Sequence, residues 1–160
     1  MNRPAYAVVR SNFPTRARYP REKLLTEVLG WDDLLDNRAF EDTCAMRLSA
    51  ALALSGVRLV GSRMRGTGGL TRDRKIEPGQ AKLSHILRHL WGKPETYRSE
   101  TAARAGIGKR SGVISFFRIH PEATTAQGHI DLVEPRSNGF SECASQCFFG
   151  AAEIWFWPLN

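Results

Sequence analysis

The 160-residue chain is poor in cysteine, in negative charge and in long apolar runs. No apolar stretch approaches the roughly 20 residues that a helix needs to cross a bilayer, which excludes a helical membrane span. The opening MNRPAYAVVRSNFPTRARYP lacks the continuous apolar segment of a secretory signal, so no standard signal peptide is expected. Repeats, low-complexity tracts and linker-like stretches are missing too. The chain therefore reads as one domain over residues 1–160, large enough to bury a core without staples. Several motif classes also fail. GTGG at 66–69 has no following Lys-Ser/Thr and lies in no strand–helix context, so it is not a phosphate-cradling loop. His85 and His89 stand i, i+4 in HILRH, but without the glutamate of a zinc protease. His120-Pro121-Glu122 is followed by cysteines spaced C-x-x-x-C, with Glu142 rather than Pro before the first, which does not match a zinc deaminase. No cofactor and no metal is expected.

The shortage of acid leaves 23 Lys and Arg against 16 Asp and Glu, a formal charge of +7. Such a surface suits an anionic partner: nucleic acid, anionic lipid, an acidic polymer or an acidic protein. Trp155 and Trp157 in IWFW are the residues that would stack on bases, but that stretch reads as a buried strand with few basic neighbours. Of the three cysteines, Cys143 and Cys147 are near neighbours and Cys44 lies far away. That count fits one local bridge and one free thiol.

Along the chain, KLLTEVLGWDDLLDN is helical in pattern, with Leu24, Leu25, Val28 and Leu29 on one side and Gly30 interrupting. EDTCAMRLSAALALSG (residues 41–56) predicts an amphipathic helix with Asp42 and Thr43 as candidate caps and Gly56 just past its end. Residues 57–79 are basic, glycine-rich and without clear periodicity, and read as a long loop. PGQAKLSHILRHLWG predicts a second helix with Pro78 in its first turn and Gly92 as its stop. After Gly106 the pattern turns to strands: GVISFFRI at 112–119, GHIDLVE at 128–134, an Asn138-Gly139 reversal, and one or two more within CFFGAAEIWFWPL. N-terminal helices packed on an antiparallel sheet from the C-terminal half make an α+β fold.

Cys44, in the first turn of its helix, is open to four readings: a buried small hydrophobe, half of a disulfide, a metal ligand or a nucleophile. Alternation in GHIDLVE puts His129 and Asp131 on one strand face. A cysteine at a helix N-terminus with a histidine on a later strand is the layout of a thiol hydrolase. Helix-end N–H groups favour the thiolate and an oxyanion, and an imidazole within reach carries the proton.

MNRP, TCAMRLSAAL, GHIDL, the C-x-x-x-C pair and the terminal EIWFWPL together resemble the type VI secretion amidase effectors, the fourth such family most and the third as near kin. The resemblance runs nearly end to end, with residues 57–105 contributing little. It implies a papain-like cysteine amidase that cuts peptidoglycan peptides at diaminopimelate, with Cys44 as nucleophile and His129 as base. The third and fourth families are understood to cut the cross-link to D-alanine and the D-glutamyl–diaminopimelate link respectively. The family pattern has an aspartate inside the C-x-x-x-C loop. Ser145 holds that place here, which makes it the expected imidazole orienter, with Asp131 as the charged alternative and Gln146 as a third. The resemblance further implies a Cys143–Cys147 disulfide, delivery by the type VI injector and action in the recipient periplasm. An acidic immunity protein occluding the cleft is the implied partner, with no nucleic-acid or membrane partner. Two rival readings stand beside it: another papain-like hydrolase such as a protein deamidase, and a non-enzymatic basic binding module.

Overall fold

A computed structural model describes residues 3–160; Met1 and Asn2, the first half of the MNRP tetrapeptide, lie outside the described residues. The N-terminal half is helical. Helix α1 (Tyr6–Ser11) is followed by α2 (Arg21–Lys23), which runs on into a π-helical segment, Leu24–Leu29. Leu24, Leu25, Val28 and Leu29 are all fully buried there, and Gly30, at φ 68°, ends the segment in the left-handed region that favours glycine. The expected apolar side is thus present, wound wider than an α-helix.

Helix α3 (Cys44–Leu54) is the centre of the molecule. Every residue from Cys44 to Ala53 is buried, so the helix is not amphipathic in use. Small side chains at Ala45, Ser49, Ala50 and Ala53 let other elements approach it on all sides. Arg47, also buried, donates to the carbonyls of Pro14 and Tyr19 and to Thr43 Oγ1, tying the incoming chain to the helix.

Residues 57–79 are not the long loop their composition suggests. A short antiparallel pair, β1 (Met64–Arg65) and β2 (Lys75–Ile76), closes the segment. Its glycines are there for close approach: a Cβ on Gly69 (φ +64°) would lie 2.1 Å from the Glu27 carbonyl oxygen. Thr71 Oγ1 donates to Val28 O and Trp31 Nε1 to Arg65 O, so side-chain bonds replace the missing periodicity.

Helix α4 (Gln80–Trp91) has Gly79 at its N-cap, placing Pro78 just before the helix rather than in its first turn. Two further elements, β3 (Glu95–Tyr97) and α5 (Glu100–Ile107), carry too few apolar residues to announce themselves in the sequence. Strands β4 (Gly112–Phe117), β5 (His129–Pro135), β6 (Ser141–Cys143) and β7 (Glu153–Pro158) complete an antiparallel sheet in the order β3-β7-β4-β5-β6.

The sheet is covered on both faces. Val113, Ile130, Leu132, Trp155 and Trp157 pack with α1, α3 and α4. Ile114, Phe116, Val133, Ile154 and Phe156 pack with Ala103 and Ile107 of α5 and with Phe149. Both faces of β5 are therefore buried, and the His129 and Asp131 side is no solvated face. Among the described residues no helix is long and apolar enough to cross a membrane.

Candidate active site

Residue pairing within the sheet sets the imidazole. Phe116 on β4 lies opposite His129 on β5, and Ile114 opposite Asp131. The His129 ring stacks over Phe116 at 6.2 Å and meets Phe148 edge-on at 5.2 Å, which fixes its plane. Its Nε2 lies 2.9 Å from Asp131 Oδ2. The same oxygen accepts the main-chain N–H groups of Ser145 and Gln146 at 2.9 and 3.1 Å, and Oδ1 accepts Leu132 N–H at 2.8 Å. An oxygen that already receives two N–H donors acts as an acceptor toward the ring. Nε2 therefore carries the proton, and Nδ1 is left as the basic nitrogen.

The two expected orienters are placed differently in this geometry. Ser145 meets the dyad through its backbone N–H, whereas the imidazole contact belongs to Asp131. Residues i and i+2 of a strand stand only about 7 Å apart, and the reach of an imidazole tip covers that gap even though their Cβ atoms point in parallel. Gln146 likewise contributes an N–H to Asp131. The disulfide Cys143–Cys147 brackets both residues and ties the loop that supplies these donors.

Cys44 is the free cysteine, buried to 3% exposure, at the start of α3 where that helix packs on β5. Its sulfur lies within hydrogen-bond reach of the main-chain N–H of Ile130, the residue after His129, and of Ala45. Burial pushes the thiol pKa up to about 12; the Asp42 carboxylate pushes in the same direction, and the two N–H groups oppose it. The helix-end stabilisation expected for the thiolate is present but outweighed, so the resting group is a thiol. Thr43 occupies the N-cap position without a side-chain cap bond, its Oγ1 being engaged by Arg47, and Asp42 just before it accepts Cys44 N–H on Oδ1 at 3.1 Å.

A cleft of about 580 Å³ opens beside His129, lined among others by Arg16, Asp42, Gln127, Ser145 and Gln146. Sequence reasoning offered Asp42 as a cap but missed its charge beside the Cys44 thiol, and it missed the Phe116–Phe148 clamp. The Phe148-Phe149 pair beside the second cysteine was the available signal for the clamp. Elsewhere, His85 packs edge-on against Trp155, and Trp155 and Trp157 are core residues. Among the described residues no group of three or more His, Cys, Asp or Glu side chains converges as a metal cage.

Comparison with known proteins follows the same lines. No curated protein sequence matches the chain. Among solved structures, the type VI effector Tae4 from Enterobacter cloacae superposes with a TM-score of 0.78 at 20% identity, covering 99% of this chain and 98% of that one. The effector–immunity complex Tae4–Tai4 from Enterobacter cloacae matches with a TM-score of 0.76 at 20% identity, over 99% and 100% of the two chains. The corresponding complex from Salmonella Typhimurium matches at 0.69 and 19% identity, again over 99% and 100%. These likenesses establish the α+β fold. The sequence model of the family described as type VI secretion system (T6SS), amidase effector protein 4, matches residues 40–157, which take in Cys44, His129, Asp131 and the disulfide loop, and the chain belongs to that family.

Proposed function

We propose that the protein is a cysteine amidase toxin that hydrolyses a peptide amide at diaminopimelate in peptidoglycan. Fourth-family membership favours the D-glutamyl–diaminopimelate link over the cross-link to D-alanine. The observation that carries the reading is a buried thiol at the head of α3 within reach of the Ile130 N–H, on the strand whose preceding residue, His129, has its imidazole held by Asp131. Cys44 Sγ attacks the amide carbonyl carbon while His129 Nδ1 takes the thiol proton. The tetrahedral adduct collapses as His129 protonates the departing amine, leaving a thioester on Cys44. Water, deprotonated by the same nitrogen, then releases the acid and restores the thiol. Asp131 stabilises the imidazolium that exists between these steps.

The fold is shared with effectors solved in complex with an immunity protein, which supports a cognate immunity partner here. We place that partner over the cleft and expect it to be acidic, given the chain's charge of +7. Family membership supports export by the type VI system and action in the recipient periplasm, where the disulfide is stable.

Purified muropeptides incubated with wild type, Cys44→Ala and His129→Ala, with products read by mass spectrometry, test the reading. Wild type should split the stem peptide and both variants should lose at least about a thousandfold in rate. Cleavage that survives Cys44→Ala, or none by the wild type, sinks it. A deamidase would instead change the mass of a peptide without splitting it.

A further inference from the structure

Away from the cleft, charge is most concentrated between Val57 and Ile76. Arg58, Arg63, Arg65, Arg72, Arg74 and Lys75 stand there against a single carboxylate, Asp73. Five arginines elsewhere form ion pairs: Arg10 with Glu134, Arg98 with Glu153, Arg104 with Glu100, Arg110 with Glu95 and Arg136 with Glu142. Among the described residues none of the six cations of this segment forms an ion pair. Four of them, Arg58, Arg65, Arg74 and Lys75, line a cavity of about 410 Å³ together with Asp73 and the apolar Ala53, Val57 and Val60, so cations outnumber the one carboxylate four to one.

The cavity is held rather than draped. Arg74 Nη1 donates to Ala53 O at the end of α3, Trp31 Nε1 fastens the Arg65 carbonyl, and Gly69 is locked against the Glu27 carbonyl. Like charges gathered on a rigid frame repel one another, and a bound anion relieves that repulsion. No aromatic side chain lines the cavity, so it offers no platform for stacking bases and selects for carboxylate or phosphate groups. It lies at the C-terminal end of α3, whereas Cys44 opens the other end. Eleven helical residues separate the two by about 16 Å, a distance that a polymer can span and a small ligand cannot.

We propose that this cavity is an exosite for an anionic cell-wall polymer, engaging carboxylates of a peptidoglycan strand apart from the peptide being cut. The inference rests on the amidase reading for its choice of polymer. Its role is to hold the enzyme on the insoluble substrate, with no part in the chemistry of a small one.

The test uses Arg58→Gln/Lys75→Gln, which leaves the Arg74 hydrogen bond to Ala53 O in place and spares the cleft. In a Cys44→Ala background, which prevents digestion, co-sedimentation with purified sacculi should weaken by roughly tenfold, and the remaining binding should be less sensitive to salt. With Cys44 intact, kcat/KM on a soluble monomeric muropeptide should stay within about twofold of wild type. Equal sedimentation and equal salt dependence with and without the two cations would overturn the exosite. So would preferential binding of the Cys44→Ala protein to anionic phospholipid vesicles over sacculi, since that assigns the cavity to lipid phosphate. Failure of wild type to cut the soluble muropeptide would strike the amidase reading alone, because sedimentation does not depend on turnover.

Discussion

At the residue scale, the catalytic reading turns on which group faces the imidazole. Asp131 accepts four hydrogen bonds, one from His129 Nε2 and three from main-chain N–H groups, and only a carboxylate can take them all. Asp131→Asn puts an amide NH₂ among these donors and removes the charge that stabilises imidazolium. Steady-state kinetics on a muropeptide should show kcat lower by about 10³–10⁴ with KM little moved. Ser145→Ala, which keeps the backbone N–H, should remain within a few-fold of wild type. A large loss in Ser145→Ala with little in Asp131→Asn would return the orienting role to the hydroxyl. Asp42 poses a separate question of charge. Its carboxylate raises the Cys44 pKa beyond what burial does, and Asp42→Asn keeps an acceptor for Cys44 N–H while removing the charge. The pH profile of Cys44 alkylation should therefore shift to lower pH in that variant. A profile that stays in place would mean burial alone sets the thiol.

At the scale of elements, the disulfide loop matters more to geometry than to stability. A bridge across four residues closes so small a ring that its entropic worth is only about 2 kcal/mol. What it does hold is the turn that aims Ser145 N–H and Gln146 N–H at Asp131. Cys143→Ser/Cys147→Ser should keep its far-UV circular dichroism and lose a few degrees in Tm, yet lose at least about tenfold in kcat. Reductant should do the same to the wild type and spare the variant further loss. Full activity in the double variant would detach the bridge from the site. Elements of this protein were legible in its sequence where packing is periodic: α4, β4, β5 and the Asn138-Gly139 reversal all follow local pattern. The segment 57–79 was not, because its order comes from tertiary contacts such as Thr71 on Val28 and Gly69 on Glu27, which leave no period. Likewise Cys44 and His129 were readable as chemistry-bearing types, whereas the Asp131 contact depends on how far a ring reaches along one strand.

At the scale of the whole molecule, burial of Cys44 ties global stability to pH. The Cys44 thiol has an ordinary value of 9.0 when exposed and is pushed up to about 12 in the folded protein. The folded state thus holds this proton more tightly than the unfolded chain does. Its contribution is complete below pH 9 and is lost progressively as pH rises toward 12, at about 1.4 kcal/mol per pH unit. Tyr6 is raised in the same direction, chiefly by burial, so the total alkaline slope cannot be assigned to one group. A difference between variants isolates it, because serine keeps a small polar side chain that does not titrate in this range. Chemical denaturation at pH 7 and at about pH 10.5 should show wild type losing about 2 kcal/mol more than Cys44→Ser over that interval. Parallel losses would mean that the thiol titrates as it does in water. Cys44 would then sit open to solvent at the head of α3, and in the proposed mechanism attack would begin from a thiolate at mildly alkaline pH instead of from a thiol whose proton His129 removes.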